Sequence, residues 1–187
     1  MFAYKAFRKG LVCRDYQFKL GEKHTEDFAN VIGNEGVTCG FHAALNPLDC
    51  LKYYPDATKS TYCIVDCGGD IDEDATDSKI ACTELTVIRE LSLQNFILQC
   101  LLYVANHDLK SIPYNVKTER GEALNGYVLV CGRMPLASGN IGDVLGLLQH
   151  DGKGNVLGVA VHTVNGDTFR EGVYYDISGR EEIKNVG

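Results

Sequence analysis

Apolar residues recur at every second position through much of this chain, and half-buried β-strands produce that period. The alternation is clearest in AYKAF and LVCRDYQF near the N-terminus and in KIACTELTVIREL, residues 79–91. TYCIVDC, residues 61–67, is more continuously apolar and indicates a buried strand. We therefore expect these segments to form β-strands.

Helical periodicity is confined to two segments. In LSLQNFILQCLLYVANH the apolar residues stand three and four positions apart, which predicts a helix over 93–106. A shorter helix is predicted over 47–54, because Asn46 can cap its first turn and Pro47 suits its first position. Pro55 prevents that helix from continuing. The chain thus combines two helices with many strands.

The last third of the chain is rich in glycine and in alternating residues, which predicts a small β module. Its candidate strands are residues 127–132, 144–150, 156–164 and 172–178. The segment Asp151-Gly-Lys-Gly-Asn155 predicts a hairpin between the second and the third of these strands. Asn165-Gly166 has the left-handed preference of a two-residue hairpin turn. We therefore expect this module to be antiparallel.

Together these elements predict an α+β protein with three regions. Residues 1–107 are expected to form a domain with a mixed sheet and two helices. Residues 108–125 are polar, contain Pro113 and are expected to be a linker. Residues 126–187 are expected to form the short antiparallel β module. A length of 187 residues suits one domain or two small ones.

The charge balance excludes some classes of partner. The chain has 18 Lys and Arg against 25 Asp and Glu, a net charge of -7 and a pI near 5.2. Direct binding of nucleic acid and docking on anionic lipid both need clustered basic residues, so neither is expected. An acidic protein can instead bind a basic protein in the place of nucleic acid. The N-terminus lacks the apolar core of a signal peptide, so we expect a cytoplasmic protein.

The eight cysteines are expected to be buried, reduced thiols, as is usual in a cytoplasm. A zinc site is not expected, because there is no CxxC pair and because Cys63 and Cys67 on one strand lie about 13 Å apart. The run DIDEDATD after Gly68-Gly69 lacks the central Gly and the final Glu of a calcium loop. We interpret it as a solvated turn, and we predict neither a metal ion nor a cofactor.

Several phrases of the first hundred residues resemble one protein family: AYKAF, CRDYQF, CGFHAALNPLDCLKYYP and DSKIACTELTV. They are similar to a domain of unknown function that is common in phage and prophage proteins of bacteria. Its signature is K-x-F, CRxFQF, GFHACxNPLD-x-x-x-YYP and DSKIA, and the resemblance covers about residues 3–100. The C-terminal phrase LGLLQHDGKGNVLGVAVHTVNGDTFREGVYYDISG is similar to the end of longer members.

This resemblance implies a phage or mobile-element origin and no established activity. The longer members carry a Gly/Ala-rich β-solenoid between their two conserved parts. In this chain VLVCGRMPLASGNIGDV resembles one or two coils of such a solenoid, so the array is nearly absent. So few coils are not self-supporting, and we expect them to pack on the flanking segments.

The order of a polar first strand, the motif G-F-H-A-x-x-N-P with a short helix, and a further strand also resembles small ADP-ribosyltransferase-type folds. That resemblance implies an enzyme that uses NAD. Its catalytic residues would be Arg14, His42, Tyr54 and Glu84. Lys5 in place of the arginine, Tyr53 in place of the tyrosine and Glu90 in place of the glutamate stay open. The Ser-Thr-Ser motif of such enzymes and a clear first-strand His or Arg are missing.

Three of these candidates also have a purely structural interpretation. His42 suits a buried imidazole that is bonded to a backbone carbonyl as well as it suits a general base. Arg14 suits an intramolecular ion pair as well as a fork that binds a phosphate or carboxylate. Tyr54 suits a core aromatic at the end of a helix as well as a ring that stacks on a ligand.

The sequence has no P-loop, GxGxxG or GxSxG motif, and it therefore favours binding over catalysis. We expect a phage or mobile-element accessory protein that acts in the bacterial host by binding a host protein. The acidic charge favours counter-defence, in which an anti-CRISPR-like inhibitor occupies a basic nucleic-acid-binding effector. The NAD-using transferase and a virion or surface component are the alternatives.

Overall fold

Strands outnumber helices in the structure, as the alternating sequence predicts. The structure is a computed structural model that describes residues 1–31, 38–74, 77–109 and 112–182. The chain divides into two compact units, Met1–Ser92 (unit 1) and Leu93–Gly187 (unit 2). The boundary therefore comes before the second helix, whereas the sequence led us to expect it after residue 107.

Unit 1 contains one helix and seven strands among its described residues. In chain order these are β1 (Phe2–Arg8), β2 (Val12–Cys13), β3 (Tyr16–Gln17), β4 (Lys23–Thr25), β5 (Phe41–Ala44), α1 (Pro47–Tyr53), β6 (Ser60–Glu73) and β7 (Lys79–Leu91). Every pairing between these strands is antiparallel. We expected a mixed sheet in this region. Within the described residues of unit 1, the parallel contact is the isolated bridge between Leu20 and Val87.

The pairings of unit 1 close a ring of four strands in the order β1, β6, β7, β5 and back to β1. Apolar side chains from all four strands fill its interior, together with Phe18. The largest of them are Phe7, Phe41, Ile80, Leu85 and Val87. Closure protects strand edges that an open sheet would expose. Helix α1, which the sequence predicts almost to the residue, packs on β1 and β5.

The acidic run that we interpreted as a turn instead continues β6 as far as Glu73. Gly68-Gly69 does not end the strand, because it forms an irregularity in the pairing with β7. Gly69 has a φ of +67°, which favours glycine, and the following Asp70 N–H donates to Thr83 Oγ1 at 2.9 Å. A bulge of this kind bends a strand without ending it. Asp70, Asp72 and Glu73 are thus part of the sheet, whereas the predicted turn over residues 75–76 lies outside the described residues.

Unit 2 contains one helix and four strands among its described residues. They are α2 (Leu93–Ala105), β8 (Lys117–Glu122), β9 (Tyr127–Ser138), β10 (Val144–His150) and β11 (Val156–Thr163). The strand order is β11-β10-β9-β8. The predicted hairpin between β10 and β11 is confirmed, since Asp151 Oδ1 accepts hydrogen bonds from the N–H groups of Lys153 and Asn155.

The sheet of unit 2 is mixed, whereas we predicted an antiparallel module. β9 pairs in parallel with both β8 and β10. Residues 17 positions apart face each other, from Tyr127 with Val144 to Gly132 with Gln149. The β8–β9 pairing has a shorter and irregular offset, from Lys117 with Val130 to Glu122 with Ser138. Parallel pairing of successive strands is the arrangement of solenoid coils. β8 also lies inside the predicted linker 108–125, which is therefore not a linker along that strand.

The predicted strand over 156–164 is confirmed as β11, but the end of unit 2 lacks the strand over 172–178 and the tight turn that we predicted there. Residues 172–178 form no strand, and Tyr175 alone in that segment makes bridges, with Ala137 and Glu181. Asn165 does not begin a two-residue hairpin, because its Oδ1 accepts hydrogen bonds from the N–H groups of Asp167 and Phe169 at 3.0 Å. The side chain thus shapes a longer local loop, as asparagine does in Asx turns.

Helix α2 belongs to unit 2 because its apolar stripe packs on β10 and β11. The stripe that predicts the helix is also the part that is buried: Phe96, Ile97, Cys100, Leu101 and Val104. Neither helix in the described part of the chain is long and apolar enough to cross a bilayer.

Six of the eight thiols are buried, and Cys13 and Cys39 are partly exposed. Burial raises the pKa of the thiols of Cys50 and Cys63 to about 12, so both are protonated at neutral pH. These thiols therefore act as small apolar core groups, as the sequence predicts.

We predict that Gly146→Ala destabilises unit 2 by about 1–3 kcal/mol, because the new methyl group overpacks the α2 contact. A Cβ atom at this position would lie 2.6 Å from Ile97 Cγ2 and 3.1 Å from Leu129 Cδ2. Urea unfolding followed by circular dichroism measures the loss. Gly158→Ala on β11 is the matched control, since its Cβ would meet only the flexible end of Ile177 at 3.0 Å. Equal losses in the two variants would contradict this account of the packing.

Candidate functional site: a basic cleft in unit 1

A cleft of about 440 Å³ lies in unit 1 where β1 and β5 meet. Among the described residues, these two strands pair only through Tyr4 and Ala44. The walls of the cleft are formed by both strands, the β2–β3 turn, α1 and the first residue of β7. The side chains that could bind or react with a ligand include Lys5, Arg14, His42, Tyr53, Tyr54 and Lys79. We call this site the basic cleft.

The glycine of the GFHA segment is required by the backbone at the edge of the basic cleft. Gly40 has a φ of +81°, in the left-handed region that favours glycine. A Cβ atom there would lie 2.9 Å from the carbonyl oxygens of both Cys82 and Phe28, so even alanine does not fit. The turn at Gly40 leads directly into β5, where Phe41 enters the core and His42 lines the cleft.

The NPLD segment forms the first turn of α1 and is tied to the start of β7. Asn46 Oδ1 accepts the N–H of Leu48 at 3.0 Å and caps the helix. The Asn46 N–H donates to Ser78 Oγ at 2.8 Å, and that hydroxyl donates to Asp49 Oδ2 at 2.6 Å. A serine ahead of β7 therefore holds the helix that walls the cleft.

Asp77 makes the second link between these two segments. Its Oδ2 accepts the hydroxyl of Tyr53 at 3.2 Å, and its Oδ1 accepts the N–H of Lys79 at 2.6 Å. Lys52 also forms an ion pair with this carboxylate at 3.4 Å. The aspartate thus positions one aromatic and one basic residue of the cleft lining.

Lys5 is a buried lysine, with only 6% of its surface exposed. Its Nζ donates to the His42 carbonyl at 2.5 Å, across the seam between β1 and β5. The ammonium also lies 5.4 Å from the ring centroid of Phe7 and 5.5 Å from that of Phe18. No carboxylate of the described residues forms an ion pair with it. Its positive charge is therefore held by a carbonyl and by ring faces.

Arg14 occupies the turn between β2 and β3 with a φ of +54°, which is unfavourable for any residue other than glycine, asparagine or aspartate. The guanidinium of Arg8 donates to the Arg14 carbonyl and holds this backbone in place. The Arg14 side chain is exposed, and it has no ion pair within the described ranges. A costly backbone conformation therefore presents a charged group to which the described residues offer no carboxylate partner.

His42 carries no charge at neutral pH in this environment. Burial, together with the nearby charges of Lys5, Lys79 and Arg14, lowers the pKa of its imidazole to about 4. A hydrogen bond to the backbone of Cys39 has the opposite, smaller effect. The ring atom Nε2 is buried and has no hydrogen-bond partner among the described residues. The imidazole is thus a neutral polar group beside three cations.

Tyr54 and Cys13 close the side of the cleft between the β2–β3 turn and the end of α1. The Tyr54 hydroxyl lies 3.4 Å from Cys13 Sγ. Burial, followed by this contact, raises the pKa of the Tyr54 phenol to about 12, so it is neutral and can donate a hydrogen bond. The thiol is one of the two that are partly exposed.

The structure brings three of the four predicted catalytic residues together, since Arg14, His42 and Tyr54 all line the basic cleft. Their alternatives Lys5 and Tyr53 line it as well. Glu84 does not. It lies further along β7, opposite Gly68, and its carboxylate is 2.7 Å from Lys23 Nζ. Glu90 also lies outside the lining, on an exposed part of β7.

Two charged residues of the cleft were not predicted from the sequence. Lys79 projects from the first position of β7, and Asp49 from the first turn of α1. The signal for both was present, since each sits in a phrase that carries the family resemblance, DSKIA and NPLD. Asp49 is the single carboxylate in the lining formed by the described residues. In the same ranges, no cluster of three or more His, Cys, Asp or Glu could hold a metal ion.

Unit 1 is thus a closed antiparallel β-domain with a basic cleft at one seam. The model of one family, Domain of unknown function (DUF7666), matches residues 1–99, which is more than half of the chain. The chain belongs to this family, and the match includes every residue of the cleft. Neither a curated protein nor a solved structure matches the chain.

We predict that acidification from pH 7 to pH 5 lowers the free energy of unfolding by about 2 kcal/mol through His42 alone. The folded imidazole is neutral down to about pH 4, whereas an unfolded histidine is protonated below about pH 6.5. Unfolding therefore takes up a proton in this window, so the stability that depends on the neutral ring is lost as pH falls. Urea unfolding at both pH values measures the change.

In His42→Gln the pH dependence should shrink by that amount. His107→Gln, at an exposed position just beyond α2, is the matched control for the loss of a histidine. A slope that is the same in wild type and His42→Gln would show that His42 is protonated in the folded protein near pH 6.

Proposed function

We propose that unit 1 is a binding module that holds the anionic group of a small molecule in the basic cleft. The observation that carries this proposal is the convergence of three cations from separate elements: Lys5 from β1, Arg14 from the β2–β3 turn and Lys79 from β7. They converge in a chain whose net charge is -7. Local basic character against an acidic background attracts anions to one place on the surface.

The state of Lys5 supports the proposal most directly. Removing an ammonium group from water costs free energy unless an anion or several hydrogen bonds compensate for it. Lys5 is buried with one carbonyl partner and two ring faces, so part of this cost is not offset by the described residues. A bound anion would supply the missing compensation.

Binding is favoured over group transfer because of where the carboxylates lie. A transferase that uses NAD in the manner suggested by the sequence needs a glutamate beside the ligand, and Glu84 is ion-paired to Lys23 elsewhere on the sheet. Asp49, which does line the cleft, accepts a hydrogen bond from Ser78 and belongs to the cap of α1. We therefore propose a ligand-binding role for the cleft.

The biological setting stays a prediction. The resemblance noted in the sequence supports an accessory protein of a phage or mobile element in the bacterial cytoplasm. Counter-defence by binding a basic host effector and a role in the virion are hypotheses about partners, and none of the contacts described above bears on them. A ligand-binding cleft is compatible with either setting.

We predict that small polyanions raise the melting temperature of the protein and that this shift depends on Lys5 and Arg14. The probes are inorganic phosphate and citrate at low ionic strength, with affinity measured by calorimetric titration. Loss of one charge-assisted hydrogen bond costs about 1.5–3 kcal/mol, so Lys5→Met and Arg14→Gly should each weaken binding about 10-fold to 100-fold. Glycine suits a φ of +54°, so Arg14→Gly should fold at least as stably as wild type.

Lys23→Gln is the matched control for these variants, because Lys23 is an exposed lysine that pairs with Glu84 outside the cleft. It should bind the anions as wild type does. The proposal fails if neither anion binds, or if Lys23→Gln weakens binding as much as Arg14→Gly does.

A further inference from the structure

We infer that the anionic group held in the basic cleft is the phosphate monoester dianion of a small organic molecule. The inference rests on the proposed binding function and adds the chemical class of the ligand. Three features of the cleft carry it: its charge balance, the directions from which its donors come, and its size.

The charge balance of the lining favours a dianion. Lys5, Arg14 and Lys79 contribute three positive charges, and Asp49 contributes the single negative charge among the described lining residues. Asp74 Oδ2 lies 3.9 Å from Lys79 Nζ and offsets part of the positive charge of that lysine. The excess is therefore between one and two positive charges. A phosphate monoester carries about -1.5 to -2 at pH 7, whereas a carboxylate or a sulfate ester carries one negative charge.

The origin of the donors favours a tetrahedral group. The ammonium groups of Lys5 and Lys79 project from β1 and β7, and the guanidinium of Arg14 comes from the β2–β3 turn. Donors on three separate walls suit a group with three terminal oxygens better than a planar carboxylate with two. The planar fork of an arginine also matches two phosphate oxygens at once.

The size and lining of the cleft favour an ester over free phosphate. A volume of about 440 Å³ lies within the range of clefts that bind small organic ligands. It is several times larger than a phosphate ion needs. Ala43, Ala44 and the rings of Tyr53 and Tyr54 provide apolar surface next to the cations. The organic part of the ester would lie against that surface.

The pH dependence of binding shows whether a group of the ligand or a group of the protein titrates. The cations that line the cleft with His42 are Lys5, Arg14 and Lys79. The other titratable groups named in this lining are Asp49, Cys13, Tyr53 and Tyr54. No second imidazole lines the cleft within the described residues. Since His42 stays neutral, the titrating group between pH 7.5 and pH 5.5 is the phosphate itself, whose second pKa is about 6.

Calorimetric titration with a matched set of ligands tests the inference. The set is inorganic phosphate, ribose 5-phosphate, a nucleoside 5′-monophosphate, a sulfate ester of the same size, and citrate. We expect one or both phosphate monoesters to bind at least about 10-fold more tightly than the sulfate ester and citrate at pH 7.5. The comparison of the two esters and free phosphate identifies which organic part is recognised.

Acidification to pH 5.5 should weaken binding of the monoester about fourfold, because only about a quarter of the ligand is then a dianion. Binding of the sulfate ester should not change. Tighter binding of both esters at pH 5.5 would mean that the cleft itself gains a proton, and that result overturns the inference. Arg14→Lys, which keeps the charge and removes the fork, should weaken binding of the monoester about 10-fold.

Cysteine labelling locates the bound ester. Cys13 lines the cleft, whereas Cys39 is the other partly exposed thiol and lies outside the lining. A saturating monoester should slow alkylation of Cys13 by N-ethylmaleimide at least about fivefold and leave Cys39 unchanged, as measured by peptide mass spectrometry. Binding without protection of Cys13 would place the ligand elsewhere and overturn the inference.

The outcomes distinguish this inference from the proposed function. If citrate or the sulfate ester binds as tightly as the monoesters and protects Cys13, the cleft binds anions without selecting phosphate. The inference then fails and the proposed function stands. If none of the ligands binds, both fail.

Discussion

The seam between β1 and β5 is the constraint on which the rest of unit 1 depends. One residue pair, Tyr4 with Ala44, closes the ring of strands at this seam. A second link joins the same two strands, because Lys5 Nζ of β1 donates to the His42 carbonyl of β5. A fully paired seam would leave no room for a cleft, and an unpaired one would expose the edges of both strands. The lysine therefore serves two purposes, since it completes the closure of the ring and brings a charge to the site.

The residues that carry the family resemblance are mostly the supports of the cleft. Gly40 allows the close approach of three backbone segments, Asn46 caps α1, and Ser78 and Asp77 tie that helix to β7. Such second-layer contacts hold binding side chains in fixed positions. The phrases GFHA, NPLD and DSK are thus understandable as one structural assembly, although they are separated along the chain.

The sequence was most informative where the periodicity was long and the ends were marked, as in α1, α2 and β7. It could not show that α2 belongs with the second unit, because an apolar stripe does not identify the surface that it packs against. It also could not separate parallel from antiparallel pairing in unit 2, since both produce the same alternation along a strand. Among the site residues, Arg14, His42 and Tyr54 were predicted, but no local pattern distinguishes Glu84 from a surface glutamate.

The 17-residue offset between β9 and β10 has a consequence for how this architecture can vary in length. Each turn of such a spiral presents the same hydrogen-bonding edge as the one before it. A duplicated stretch of this size could therefore be spliced in between the two strands, and every backbone group along the new edge would find a partner. Repeated insertions of this kind would lengthen the sheet one coil at a time and would leave the sequences of the β10–β11 hairpin and of the unit 1 cleft unchanged.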